Sequence, residues 1–129
     1  MDLYDGDMMS WELFYDVRPW TTNKDRNLHY HQRAKMVKEW REKFKELAEE
    51  AGIPELEVMF IEAEPWVPTR NFQDTAACNP AVKAAIDGIV DAGVVPDDKP
   101  QFLKWILFHP CKHTPGQTGL MIRVVGKPL

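Results

Sequence analysis

The chain has 129 residues, 44% hydrophobic and 28% charged, with five tryptophans, two cysteines and a net charge of −4. This composition predicts one folded domain over residues 1–129 and excludes a disordered chain, and no apolar run approaches the roughly 20 residues that a membrane-spanning helix requires. The net negative charge argues against a general polyanion-binding protein. The first ten residues are acidic, which argues against a secretory signal. The two cysteines indicate reduced thiols in a cytoplasmic protein.

Hydrophobic periodicity predicts a strand, a helix and a second strand in the first half of the chain. Residues 11–17 alternate as a strand does, and the polar, turn-rich stretch 18–27 indicates a loop. Between about residues 28–51 apolar side chains recur every three or four positions, which predicts a helix with one buried face. Residues 55–65 alternate again and predict a strand that Pro65 closes.

The second half predicts one more helix and two closing strands. Asn79 as the N-cap and Pro80 as the first helical residue mark the start of the helix, and Gly93 marks its end. The apolar segments 101–110 and 119–126 predict strands that pair antiparallel, because a short Pro-Gly connection joins them. The order strand, helix, strand, helix, strand, strand predicts an α/β or α+β domain with a small mixed sheet and two main helices.

Charged residues are segregated along the chain. Residues 24–45 hold eight Lys or Arg and three acids, residues 46–98 hold two and twelve, and the last 31 residues hold five Lys or Arg and no acid. This pattern predicts a basic surface beside an acidic site, and the alternative is charged helix surfaces that simply face solvent. On the predicted basic helix, Arg33, Lys35 and Lys38 are candidates for sequence-independent contacts with DNA phosphates.

Three carboxylates flank the second predicted helix, Asp74 before it and Asp97 and Asp98 after it. A helix over 80–92 is about 20 Å long, and both flanking segments can extend far enough for the carboxylates to meet. Their repulsion would then favour a bound Mg²⁺, which activates water and stabilises charge on a scissile phosphate. Lys83, near the helix N-terminus, would contact that phosphate. Alternatively, the three acids are ordinary turn residues.

Two further patterns have a functional and a structural interpretation. His109, Cys111 and His113 could suggest a zinc site, but they lack the usual gap of about two to four residues between ligands. We therefore expect His109 to end a strand and Cys111 to be a small apolar residue. Trp20 and Trp66 lie in predicted loops, where tryptophans either stack on nucleic acid bases or anchor the loop by partial burial. We expect the anchoring role for both.

The segment KAAIDGIVDAGVVPDD, from Lys83 to Asp98, resembles the core of the RusA-type Holliday junction resolvases. That family has an Asp-x-Asp-Asn element, then a Lys that opens the pattern KAxxDxLxxAG, then a hydrophobic pair and a closing Asp-Asp. A Pro-Trp loop, a basic helix and a strand that ends just before an Arg-bearing loop also occur here in the family's order. The resemblance therefore covers nearly the whole chain in its order of elements and residues 74–98 in its motif.

The resemblance implies a homodimeric, Mg²⁺-dependent endonuclease, with Mn²⁺ as the alternative ion, which resolves four-way DNA junctions by paired nicks. The family is often phage-borne, which would place the protein in the host cytoplasm. Carried over by position, the catalytic residues are Asp74, Lys83 and Asp98, and the metal ligands are Asp74, Asp97 and Asp98. Under this resemblance, Arg70 and Lys99 would add to the DNA contacts of the basic helix. Ala76 stands where the family has its second Asp. A weakened or inactive protein that binds branched DNA or a protein partner is therefore the alternative, and a small phage protein without a nucleic-acid role is a third.

Overall fold

A computed structural model describes Tyr4 and residues 6–129, so the prediction about a secretory signal falls partly outside the described residues. The mixed class predicted from the sequence is confirmed. The strands are β1 (Met9–Tyr15), β2 (Leu56–Val67), β3 (Leu103–Phe108), β4 (Lys112–His113) and β5 (Gly119–Pro128), and the helices are α1 (Thr22–Arg26), α2 (Tyr30–Glu50) and α3 (Asn79–Asp91). In the part of the chain that the structure describes, no helix combines the length and apolar character needed to cross a membrane.

One mixed sheet carries the fold, with the strand order β1-β5-β2-β3 and with β4 also paired to β2. β5 runs antiparallel to both of its neighbours, whereas β3 and β4 run parallel to β2. The prediction that the last two strands pair with each other is wrong, because β3 and β5 lie on opposite sides of β2. The short connection crosses the end of β2, where the backbone N–H of Thr114 donates to the carbonyl of Val67 at 2.8 Å.

β2 continues past the position at which we expected it to end. Pro65 lies inside the strand opposite Leu120 of β5, and pairing extends to Val67. The carbonyl of Ala63 accepts a hydrogen bond from the N–H of His109 on the β3 side, and Pro65, two residues later, faces the same side. Its missing N–H therefore coincides with the gap between β3 and β4, where the ladder on this side of β2 is interrupted.

The hydrophobic core lies between one face of the sheet and the helices. Alternate residues of β2 and β5 are fully buried there, as the period of a strand requires: Met59, Ile61, Ala63, Leu120, Ile122 and Val124. The apolar sides of α2 and α3 complete this core with Trp40, Phe44, Ala48, Val82, Ile86 and Ile89. The helical periodicities predicted from the sequence are thus confirmed. On the other face of the sheet, Phe60, Glu62, Glu64 and Trp66 are half-buried.

α2 and α3 approach each other at Gly88. A Cβ atom on this residue would lie 2.1 Å from the carbonyl oxygen of Arg41, so only glycine permits this helix contact. The Arg41 guanidinium also binds the Asp91 carboxylate through two hydrogen bonds of 2.5 and 2.8 Å. α3 terminates as predicted, with Gly93 at a φ of +85°, but its N-cap is Cys78, one residue before the predicted cap.

The predicted loop 18–27 contains the short helix α1. Thr21 caps it, with its side-chain oxygen accepting from the N–H of Lys24 at 3.3 Å. Trp20 is only 4% exposed, and its indole N–H donates to Asp25 at 3.0 Å. Trp20 therefore anchors α1 in the core, as expected, and is too deeply buried to stack on a base.

Candidate functional site

Two of the three predicted catalytic residues lie in contact. Lys83 is in the second turn of α3, and its Nζ atom is 3.3 Å from Oδ2 of Asp98 in the loop that follows the helix. The two side chains are 50% and 37% exposed, so solvent reaches both. Gly93 turns the chain at the end of α3 and the buried Val94 and Val95 then fix the start of the loop, which brings Asp98 back to the side of the helix that carries Lys83.

Asp97 lies next to this ion pair but has a different partner. Its carboxylate accepts a hydrogen bond from the backbone N–H of Lys99 at 2.8 Å and lies 3.9 Å from the ammonium group of the same residue. This is the turn-forming role that aspartate commonly has. Asp97 and Asp98 are thus adjacent carboxylates at one turn, each accompanied by a lysine.

A third carboxylate, Asp87, joins Asp97 and Asp98, and the sequence analysis did not assign it to the site. Asp87 lies one helical turn after Lys83. Burial raises the pKa of Asp87; the cations Arg41 and Lys83 counteract this, and the anions Asp98 and Asp91 add to it. Its four-residue spacing from Lys83 was the available signal, because residues at that spacing share a helix face.

Asp74 lies in the turn that leads into α3, and within the described residues it does not form one metal-binding group with Asp97 and Asp98. Its carbonyl accepts from the N–H of Ala77 at 3.0 Å, and its exposed side chain borders a cavity beside α1. Ala76 in the same turn has a φ of +69°. This left-handed conformation is unfavourable for alanine and is tolerated better by aspartate or asparagine.

The predicted DNA-binding residues differ in their engagement. The Arg33 guanidinium donates to the carboxylate of Asp25 at 3.2 Å and to its backbone carbonyl at 2.6 Å, so it ties α1 to α2. Lys35 and Lys38 are exposed on α2, and Arg70 is exposed in the loop after β2. These three side chains are therefore more accessible to a DNA phosphate than Arg33 is.

Within the described residues, no three His, Cys, Asp or Glu side chains converge into a ready metal-binding group. Mg²⁺ in proteins often has only one or two carboxylate ligands and keeps several waters. Burial raises the pKa of Asp87 most, and the negative charge of Asp98 adds to this rise, so a cation bound at Asp98 would reduce that repulsion. In the HPCKH segment, His109 contacts Glu62 and Cys111 contacts the carbonyl of Gln73.

A second polar cluster on the open sheet face was also missed by the sequence analysis. Glu62, with only 12% of its side chain exposed, lies 2.7 Å from Nε2 of His109 and accepts from the hydroxyl of Tyr4 at 2.6 Å. Burial works to raise the pKa of Glu62, but these two hydrogen bonds and the charges of His109 and Arg123 outweigh it, and the pKa is lowered. The cluster borders a cavity of about 230 Å³.

No protein-family model matches the chain, and no curated protein matches it. The resemblance to the RusA-type resolvases therefore depends on residues 74–98 and on the order of the elements.

Proposed function

We propose that this protein is a RusA-type, Mg²⁺-dependent endonuclease that resolves four-way DNA junctions by paired nicks. The observation that carries this proposal is the contact between Lys83 and Asp98, which lie 15 residues apart in the sequence and at the two ends of the segment KAAIDGIVDAGVVPDD. A carboxylate can hold a metal ion and a cation can stabilise charge on a phosphate, so this solvent-accessible pair offers two groups that metal-assisted phosphodiester hydrolysis can use.

Asp98 would hold the ion in this proposal, with Asp97 beside it, whereas Asp74, the third predicted ligand, does not join them in one group within the described residues. When bound, Mg²⁺ lowers the pKa of a coordinated water and stabilises charge on the scissile phosphate. Asp87 adds negative charge behind Asp98. Lys83 is paired with Asp98 in the protein alone and would contact a phosphate oxygen in the DNA complex, where the positive N-terminal end of α3 also favours an anion.

The basic residues Lys35, Lys38, Arg70 and Lys99 carry the DNA arms through phosphate contacts, with affinity that falls as salt rises. Such contacts require no base code, which suits the recognition of a branch by its shape. Two nicks placed symmetrically across a junction imply a homodimer. We place this dimer in the cytoplasm, that of the host if the gene is phage-borne.

A synthetic four-way junction, end-labelled on each strand in turn, tests this function with Mg²⁺ or EDTA present. We expect paired nicks from the wild type with Mg²⁺. Asp98→Asn should lose the nicks and keep gel-shift binding. Glu49→Gln is the matched control, because Glu49 belongs to a similarly exposed ion pair with Lys45 on α2, and this variant should nick normally. Binding without nicks at every Mg²⁺ and Mn²⁺ concentration would overturn the enzyme proposal.

The alternative is a protein that binds branched DNA without cutting it. Ala76, in place of the family's second Asp, favours this possibility. An Ala76→Asp variant separates the two, because the φ of +69° at this position accommodates aspartate. If the wild type binds without nicking and Ala76→Asp nicks, the protein is a binder whose site has lost one acid. If neither nicks, the site itself is misassigned.

A further inference from the structure

Two cations lie near Asp87, but each of them is paired with a different carboxylate. The guanidinium of Arg41 binds Asp91 through two hydrogen bonds, and the ammonium group of Lys83 lies 3.3 Å from Oδ2 of Asp98. Among the described residues, no hydrogen bond or ion pair reaches the carboxylate of Asp87 itself. Asp87 is half-buried, so its charge has lost part of its hydration without gaining a direct partner.

Lys83 and Asp87 are one helical turn apart and therefore share a face of α3. Side chains at this spacing have Cβ atoms about 5–6 Å apart, so a lysine and an aspartate there can pair directly. The order with the cation first is the less favourable one along a helix, which agrees with the pairing of Lys83 with Asp98 in the protein alone. A change of side-chain rotamer is enough to move the ammonium group from one carboxylate to the other.

Asp98 has two uses that compete for its carboxylate. It is paired with Lys83 in the protein alone, and in the proposed function it holds Mg²⁺. Lys83 would leave Asp98 once that carboxylate holds a divalent cation, because the two positive charges repel each other. The half-buried charge of Asp87 then attracts the ammonium group more strongly than bulk water does, because pairing compensates the hydration that Asp87 has lost.

We propose that Asp87 is the second partner of Lys83 and takes over its ammonium group whenever Asp98 is engaged elsewhere, as it would be by a divalent cation. Asp87 is then a positioning residue, because it keeps Lys83 on the face of α3 beside Asp98. The exchange requires no movement of α3, which the close contact with α2 at Gly88 holds in place. The inference rests on the proposed function only for the identity of the cation.

Melting temperatures in EDTA at pH 7 test the exchange without metal or DNA, with Asp98→Asn removing the first partner of Lys83. In the wild-type background, Asp87→Asn should melt at or above the wild-type temperature, because burial opposes the charge of Asp87. In the Asp98→Asn background, the same substitution should lower the melting temperature by about 1–2 °C, because it now removes the pair with Lys83. The effect of Asp87→Asn therefore reverses its sign.

Three further variants show whether this reversal comes from the lysine. It should vanish when Lys83→Ala is added, and Asp87→Glu, which keeps a carboxylate at the same helix position, should not lower the melting temperature in the Asp98→Asn background. Glu49→Gln is the matched control, because Glu49 pairs with Lys45 at the same spacing on α2, and its effect should be equal with and without Asp98→Asn. An unreversed sign, or a reversal that persists in Lys83→Ala, would overturn the role of Asp87.

Mg²⁺ alone, without DNA, separates this inference from the proposed function. In Mg²⁺, Asp87→Asn should melt below the wild type, and this loss should disappear when Lys83→Ala is added. A loss that persists without Lys83 would make Asp87 a direct ligand of the ion and overturn its positioning role. The reversal in EDTA without any effect of Mg²⁺ would support the second partner and refute the ion at Asp98, and with it the proposed function. An effect of Mg²⁺ on the wild type without the reversal would refute the exchange and leave the proposed function standing.

Discussion

Replacement of Gly88 by alanine places a methyl group between α2 and α3. The new Cβ would lie 2.1 Å from the carbonyl oxygen of Arg41 and 2.9 Å from the backbone nitrogen of Lys45, so the two helices must separate locally by about 1 Å. Overpacking of this kind costs about 1–3 kcal/mol, and the better helix propensity of alanine returns up to about 1 kcal/mol. We therefore expect a net loss of roughly 1–2 kcal/mol, or about 3–10 °C in melting temperature.

Thermal and urea unfolding followed by circular dichroism measure this loss. Gly6→Ala is the control, because nothing lies within 4 Å of a Cβ at Gly6, and its effect should stay within about 0.5 kcal/mol. A Gly88→Ala protein as stable as the wild type would refute the close backbone contact between α2 and α3, and with it the placement of the helix face that carries Lys83 and Asp87.

Four further predictions follow from single positions. Gly93→Ala should lower the stability by about 1 kcal/mol, because its φ of +85° strains any residue with a Cβ; an unchanged urea midpoint would contradict this. The raised pKa of Asp87 means that its charge opposes folding above the ordinary carboxyl pKa. Asp87→Asn should therefore melt at or above the wild-type temperature at pH 7, and this advantage should vanish below about pH 4. Glu62→Gln should show the opposite sign, because the pKa of Glu62 is lowered: the wild type should be more stable at pH 7, and its lead should shrink as the pH falls through that lowered pKa. Burial raises the pKa of the Cys78 thiol to about 11, so iodoacetamide at pH 8 should label Cys111 first by mass spectrometry; equal rates would show that Cys78 is accessible.

The helices and the central strand were predictable because their signals are local. The apolar repeats of α2 and α3 and the alternation within β2 indicate which face of each element is buried. This signal does not depend on which other element packs against that face. The strand order was not predictable in this way. A short connection between two strands is compatible with a hairpin or with a crossing at the end of a third strand, and only the tertiary pairing of β2 with both neighbours decides between them.

The part of the candidate site that could be predicted consists of residues close to one another in the sequence. Lys83 and Asp98 were identified by their register in the resemblance, and the turn at Gly93 explains why they meet. The sequence did not show that Arg41 affects the site. Its hydrogen bond to Asp91, and its lowering effect on the pKa of Asp87, both act between α2 and α3, which are far apart in the sequence. Arg33 was predicted to bind DNA on the basis of its charge alone. The sequence does not show that its guanidinium is already paired with the carboxylate of Asp25.

Strand-by-strand mapping of nicks in a four-way junction tests the central claim most directly. The wild type and Lys83→Ala would be incubated with the junction and Mg²⁺, and each of the four strands would be labelled separately. We predict that the wild type cuts two opposing strands at symmetric positions, and that Lys83→Ala binds the junction and leaves all four strands intact. Symmetric nicks that persist in Lys83→Ala, or a wild type that binds the junction and never cuts it, would contradict the proposed site.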